Sequence, residues 1–218
     1  MRSGIFGVIS MRLGIHKLAA LCFLAVLGAT APAHADLIVS LQPVTSTPKP
    51  GDIGDALEVV LSNSGASVNI NSFFFDVSTT DTDITFTDAT AATVINSYIF
   101  AANSTFGPDI VNPGFTPGQE ISASDIASAP DFTTLGTGGV VSLGEVFYNV
   151  APNAVVQPFA VTFNQAGTSL SDDLGNNIPI DQFQSATLDI SAVPEPSSIL
   201  LLLTGTAFVL GLARRKRS

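Results

Sequence analysis

Carboxylates are the residues best placed to do chemistry in this chain. Asp76, Asp81, Asp83 and Asp88 fall close together, and Asp81-Thr82-Asp83 sets two acids at alternate positions. Such oxygens suit calcium, a hard cation that typically takes about six to eight oxygen ligands. The stretch lacks the glycine and the distal glutamate of an EF-hand loop, and solvated acids that deter strand-edge pairing are the alternative reading. Asp172-Asp173 with Asn176 and Asn177 offers a similar set, and reads more simply as an Asx-rich turn. Glu58, Glu120 and Glu145 could supply the two carboxylates that a glycosidase needs. Glu58 and Glu145, however, sit in strand patterns, where outward polar positions are expected in any case. Catalysis is therefore not expected, and calcium is the one cofactor to which these acids point.

Composition narrows the chemistry further. The whole chain has a formal charge of -10. Seven of its eight basic residues lie in the two ends, so between Asp36 and Val193 only Lys49 faces 17 acids, a net of -16. That stretch has no Cys, His, Arg, Met or Trp. Ser-His-Asp triads, cysteine nucleophiles and His/Cys zinc sites are thereby excluded. The lack of a basic patch argues against nucleic acid as a partner. With no Trp or Arg, and with Tyr98 and Tyr148 as the only tyrosines, few side chains are suited to hold a sugar by stacking. Disulfides cannot form, but the stretch is long enough to bury a full core without them.

The elements that must position these acids read as strands. Leu37–Leu41, Leu57–Leu61, Phe73–Val77, Ile84–Thr87, Val140–Val150, Phe159–Phe163 and Leu188–Ile190 are β-branched or aromatic, often with a period of two. Turn clusters separate them at 47–52, 63–65, 112–114, 137–139 and 175–177. Ile126–Leu135 is poorly patterned and reads as loop. Eight or nine short strands with Gly/Pro/Asn turns predict an all-β sandwich over residues 36–190.

Both ends have a different character. Arg12 and Lys17, the apolar Leu18–Leu27 and Ala33-His34-Ala35 form a secretory leader over residues 1–35, cut after Ala35. Cys22 follows Leu21 inside the apolar run, so it does not fit a lipoprotein signal. At the other end, Val193-Pro194-Glu195-Pro196 precedes an apolar run over 197–213, and Arg214-Arg215-Lys216-Arg217 follow it. A helix over that run is about 25 Å long, just short of a bilayer core of about 30 Å. The basic cluster fixes its end in the cytoplasm. The two prolines keep the preceding stretch extended and open to a protease. A retained membrane anchor is the simpler alternative.

The Pro-Glu-Pro signature, hydrophobic helix and basic end of residues 191–218 closely resemble the PEP-CTERM sorting signal of bacterial surface and exopolysaccharide-associated proteins. That resemblance implies processing by an exosortase. It also implies passage through an inner-membrane intermediate and delivery to the cell surface or extracellular matrix of a Gram-negative-type bacterium. The order Gly51-Asp52, Asn63-Ser64-Gly65, the Phe-rich strand ending at Asp76, Leu143–Tyr148 and Asp172–Ile178 resembles the jelly-roll β-sandwich of cohesin-like and carbohydrate-binding domains. It implies a fold more than a ligand. A structural or interaction role is expected, with a polysaccharide or another surface protein as partner. The alternative is a binding module that recognises a glycan or a surface protein. Ser78-Thr79-Thr80, Ser122-Ala123-Ser124 and Thr133-Thr134 offer hydroxyls for O-glycans, and Asn103-Ser104-Thr105 fits an N-glycosylation sequon.

Overall fold

A computed structural model describes residues 34–45, 47–129 and 131–192. The expected leader up to Ala33, the motif Val193–Pro196, the apolar run 197–213 and the basic cluster 214–217 lie outside the described residues. The described residues contain strands and turns and no helix.

Alternation builds the strands. β1 (Leu37–Pro43) buries Leu37, Val39 and Leu41. β2 (Asp55–Asn63) sends Leu57, Val59 and Leu61 into the core. A short β3 (Val68–Ile70) leads into β4 (Ser72–Thr79), whose Phe73, Phe75 and Val77 point inward. β5 (Ile84–Thr90) and β6 (Glu120–Ile126) follow, then β7 (Thr133–Leu135), β8 (Val140–Val150) and β9 (Pro158–Phe163). The chain ends with β10 (Ser169–Ser171), β11 (Asn177–Ile178), β12 (Gln182–Gln184) and β13 (Ala186–Asp189).

Two sheets enclose the core. The first runs β12-β1-β2-β8-β5, and its β12–β1 pair is parallel. In the second, β4 pairs with β6 along one side and with β9 and β10 along the other, while β13 extends β9 and β11 extends β10. β3 and β7 form a separate two-stranded ribbon. An aromatic cluster fills the centre: the Phe73 ring stacks on Phe75 at 5.9 Å and on Phe100 at 5.8 Å, and Tyr98 meets Phe100 edge-on at 6.2 Å. Such pairs contribute beyond their buried area.

The long β5–β6 connection, residues 91–119, seals one side of the sandwich. Ile110 N–H donates to Ala89 O on β5, while Ile110 O accepts Ser124 N–H on β6. Phe86 and Gly118 exchange both backbone hydrogen bonds, and Asn112 N–H donates to Ser122 O. The outer strands β5 and β6 thus find partners in one connection, which blocks pairing with other chains along that side.

The expected all-β sandwich is present, with thirteen strands among the described residues where eight or nine were expected. Each of the seven segments read from the sequence meets a strand, Leu188–Ile190 running one residue past β13. β6 lies where no strand was expected, in Glu120-Ile-Ser-Ala-Ser-Asp-Ile126. Its Ile121, Ala123 and Asp125 are buried, but small and acidic residues have weak strand propensity, which hides the alternation. The stretch read as loop, 126–135, contains the last residue of β6 and all of β7.

Gly144 is the tightest point of the core. Its φ is +150°, and a Cβ there would stand 2.4 Å from Ile110 Cδ1 and 3.1 Å from Thr90 O. Gly144→Val should therefore destabilise the fold by about 2 kcal/mol or more through overpacking and backbone strain. Urea unfolding measures this; an unchanged midpoint would show that the connection does not press on β8.

Candidate functional site

The four aspartates expected to bind calcium occupy separate settings. Asp76 lies mid-strand on β4. Its backbone N–H donates to Thr168 Oγ1 at 3.2 Å, and Asn164 Nδ2 donates to its Oδ2 at 3.0 Å. Asp81 and Asp83 shape the β4–β5 turn: Asp83 N–H donates to Asp81 Oδ1 at 2.9 Å, and Val155 N–H donates to Asp83 Oδ2 at 3.1 Å. Asp88 is exposed at a bulge of β5, and its Oδ1 accepts Ala89 N–H at 2.8 Å. Among the described residues, no group of three or more His, Cys, Asp or Glu side chains is arranged to hold a metal ion. Closeness in sequence does not bring these carboxylates together, because β4 and β5 belong to different sheets.

Asp172 closes the β10–β11 turn. Its Oδ1 accepts the N–H groups of Leu174 and Asn176 at 2.9 and 2.7 Å, and Oδ2 accepts Asn176 Nδ2 at 2.9 Å. Hydrogen bonds from Asn176 lead the causes that hold its carboxyl below the usual range.

Three carboxyl settings were not foreseen from sequence. Asp76 faces Glu120 across β4 and β6, since Asp76 pairs with Ser122 and Ser78 pairs with Glu120. Burial, reinforced by the Glu120 charge, pushes the Asp76 carboxyl up, and its Oδ1 is buried without a hydrogen-bond partner. On the first sheet, Glu58 and Glu145 stand directly opposite each other on β2 and β8. Glu58 is fully buried. Its carboxylate accepts N–H groups from Val94 (3.3 Å), Ile95 (2.7 Å) and Asn96 (2.8 Å), and Asn96 Nδ2 at 2.9 Å. Burial and then the Glu58 charge push Glu145 up, and Glu145 Oε2 has no partner. Lastly, Asp125 is buried on β6 and accepts Tyr98 Oη–H at 2.6 Å and Phe106 N–H at 3.2 Å.

Glu58 and Glu145 had been expected to face solvent. Residues 94–96 fold over Glu58, and Glu145, opposite it on β8, is buried as well. Only the acceptor chemistry of a carboxylate hints at this, because four donors converging on one side chain leave no pattern in sequence. The hydroxyls singled out for glycans are also partly engaged: Thr79 Oγ1 donates to Ala160 O, and Ser122 and Ser124 bond to the Asn112 side chain.

Cavities open on the surface of the described residues. One of about 470 Å³ is lined by residues 112–120 and Ser122, with Phe115, Gln119 and Glu120 as its larger side chains. Another, about 450 Å³, lies over Tyr98 and Phe100. The first combines amides, a carboxylate and one aromatic ring, a set that can bind hydroxyl groups. A nucleophile paired with an orienting base is absent from its lining.

Residues 192–217 match the family described as the PEP-CTERM protein-sorting motif. The chain carries a PEP-CTERM sorting signal. Its sandwich is similar in fold to the seventh ScaB type I cohesin from Pseudobacteroides cellulosolvens, with a TM-score of 0.52 and 13% identity over 74% of this chain and 96% of that one. Other similar structures are a non-cellulosomal cohesin from Archaeoglobus fulgidus and the CaCohA2 cohesin from Clostridium acetobutylicum. The first is 15% identical, with a TM-score of 0.49, over 75% of this chain and 96% of that one. The second is 17% identical, with a TM-score of 0.48, over 72% and 92%. At these identities the likeness is one of fold alone. No curated protein matches the chain.

The glutamate pair predicts opposite effects for its two members. Glu58→Ala orphans the donors of residues 94–96 and should cost about 3 kcal/mol. Glu145 has a raised folded pKa, so its favourable contribution is complete below the unfolded carboxyl range and fades as pH climbs through the raised value. Glu145→Gln should therefore match the parent near pH 4 and exceed it in stability at pH 8. Denaturation at both pH values checks this, and a variant less stable at pH 8 would refute the assignment.

Proposed function

We propose that this protein is exported, processed by an exosortase at its PEP-CTERM signal, and delivered to the cell surface or exopolysaccharide matrix as a structural or interaction component. The observation that carries this reading is the sorting motif at residues 192–217, which begins three residues after the last strand. The folded part supports a non-catalytic role. Its buried Glu58, Asp76 and Asp125 accept hydrogen bonds from loops, and no nucleophile–base pair lines the cavity at residues 112–120. Its net charge of -16 keeps it soluble and repels anionic polymers.

A second reading is a binding module for a glycan or another surface protein. The cavity lined by Phe115, Gln119 and Glu120 supports it, as does a fold shared with a protein whose name makes it a cohesin. A glycan array and a pull-down with matrix proteins separate the two readings, since a blank in both leaves the structural role.

The intact mass of the protein recovered from its native host tests the first reading. A species beginning at Asp36 and ending between Val193 and Pro196 is expected. A full C-terminus retained in the membrane fraction would replace it with a tethered anchor.

A further inference from the structure

The chain leaves the sandwich at the end formed by the β1–β2 turn, the β4–β5 turn and the β8–β9 loop. Ser191 N–H donates to Pro48 O at 2.8 Å, and Ile190 N–H donates to Gln157 O at 3.1 Å. Val150 N–H donates to Asp52 O at 2.9 Å, and Ala151 N–H donates to Asp83 O at 2.8 Å. These bonds join the three loops and the exit point into one surface. Three aliphatic side chains protrude from it: Ile53 is 83% exposed, Val155 59% and Val156 55%.

The acids on this end turn back into the loops. Asp52 Oδ2 accepts Lys49 N–H at 2.9 Å, Asp81 Oδ1 accepts Asp83 N–H, and Asp83 Oδ2 accepts Val155 N–H. Only Val193–Pro196 separate Ala192 from the apolar run that begins at Ser197. Even fully extended, the path from Ala192 to Ser197 spans at most about 18 Å. Whatever membrane holds that run must lie close to Ile53, Val155 and Val156.

We propose that Ile53, Val155 and Val156 rest on the lipid bilayer while the tail still holds the chain, standing the sandwich on this end beside the sorting motif. The proposal rests on reading the tail as membrane-held before processing. Protein-binding hot spots favour Trp, Tyr and Arg, none of which is among the protruding residues. Small aliphatic tips suit the acyl boundary of a zwitterionic bilayer, where their burial is favourable and non-directional. The contact fixes the height of Val193–Pro196 above the bilayer, where the processing enzyme meets it.

The test uses the chain after removal of its leader, residues 36–218, which has no cysteine of its own, with an environment-sensitive fluorophore on Ile53→Cys or Leu174→Cys. Leu174 is 81% exposed in the turn after β10, beside the start of β4 and so at the opposite end of the sandwich. The chains are bound to phosphatidylcholine vesicles and recovered by flotation. A blue-shifted probe at 53, shielded from a soluble quencher, is expected beside an unshifted probe at 174. Equal quenching of both probes in vesicle-bound chains would overturn the proposal and leave the tail reading intact. A chain that fails to float would overturn both. Shielding that appears only when the processing enzyme is added would reassign the surface to that protein.

Discussion

The backbone of Ile110 holds the two sheets together along one side of the sandwich. Its N–H reaches the edge strand of the first sheet at Ala89, and its carbonyl reaches the edge strand of the second at Ser124. A β-sandwich exported from the cell must leave few unpaired edges, because each is a template for aggregation. This chain covers two of its outer strands, β5 and β6, with a single long connection. Gly144 is required because the Ile110 side chain packs where a β8 side chain would otherwise stand.

The buried acids follow from the same arrangement. A connection laid across sheet edges and faces brings backbone N–H groups that the sheets cannot satisfy, and buried donors must find acceptors. Glu58 accepts those of 94–96, and Asp125 accepts that of Phe106 along with the Tyr98 hydroxyl. Glu145, opposite Glu58, bears the cost of this solution: burial and then the Glu58 charge push its carboxyl up. The acidity of the chain thus has two sources: a solvated surface and a small set of interior acceptors.

Local signals were legible in the sequence, and long-range ones were not. Phe73-Phe74-Phe75 and Phe159–Phe163 announce strands because alternation and aromatic content agree. Asp172–Asn177 announces its turn because the side chains bond within a few residues. β6 is hidden, since Ser122, Ala123, Ser124 and Asp125 satisfy their strand only through partners on β4 and in the connection. Asp76 and Glu120 are 44 positions apart and meet only through strand register. The sorting tail was legible for the opposite reason, since it works as a linear signal.

Hydrogen exchange on the folded chain at pH 7 tests most directly whether residues 91–119 are a structural seal and not a mobile binding loop. The amides of Ile110, Gly118 and Ser124 should exchange as slowly as those of the central strands β2 and β8. Exchange as fast as at the exposed turn around Gly175 would contradict the account. It would return the connection, and the carboxylates beneath it, to the candidates for ligand binding.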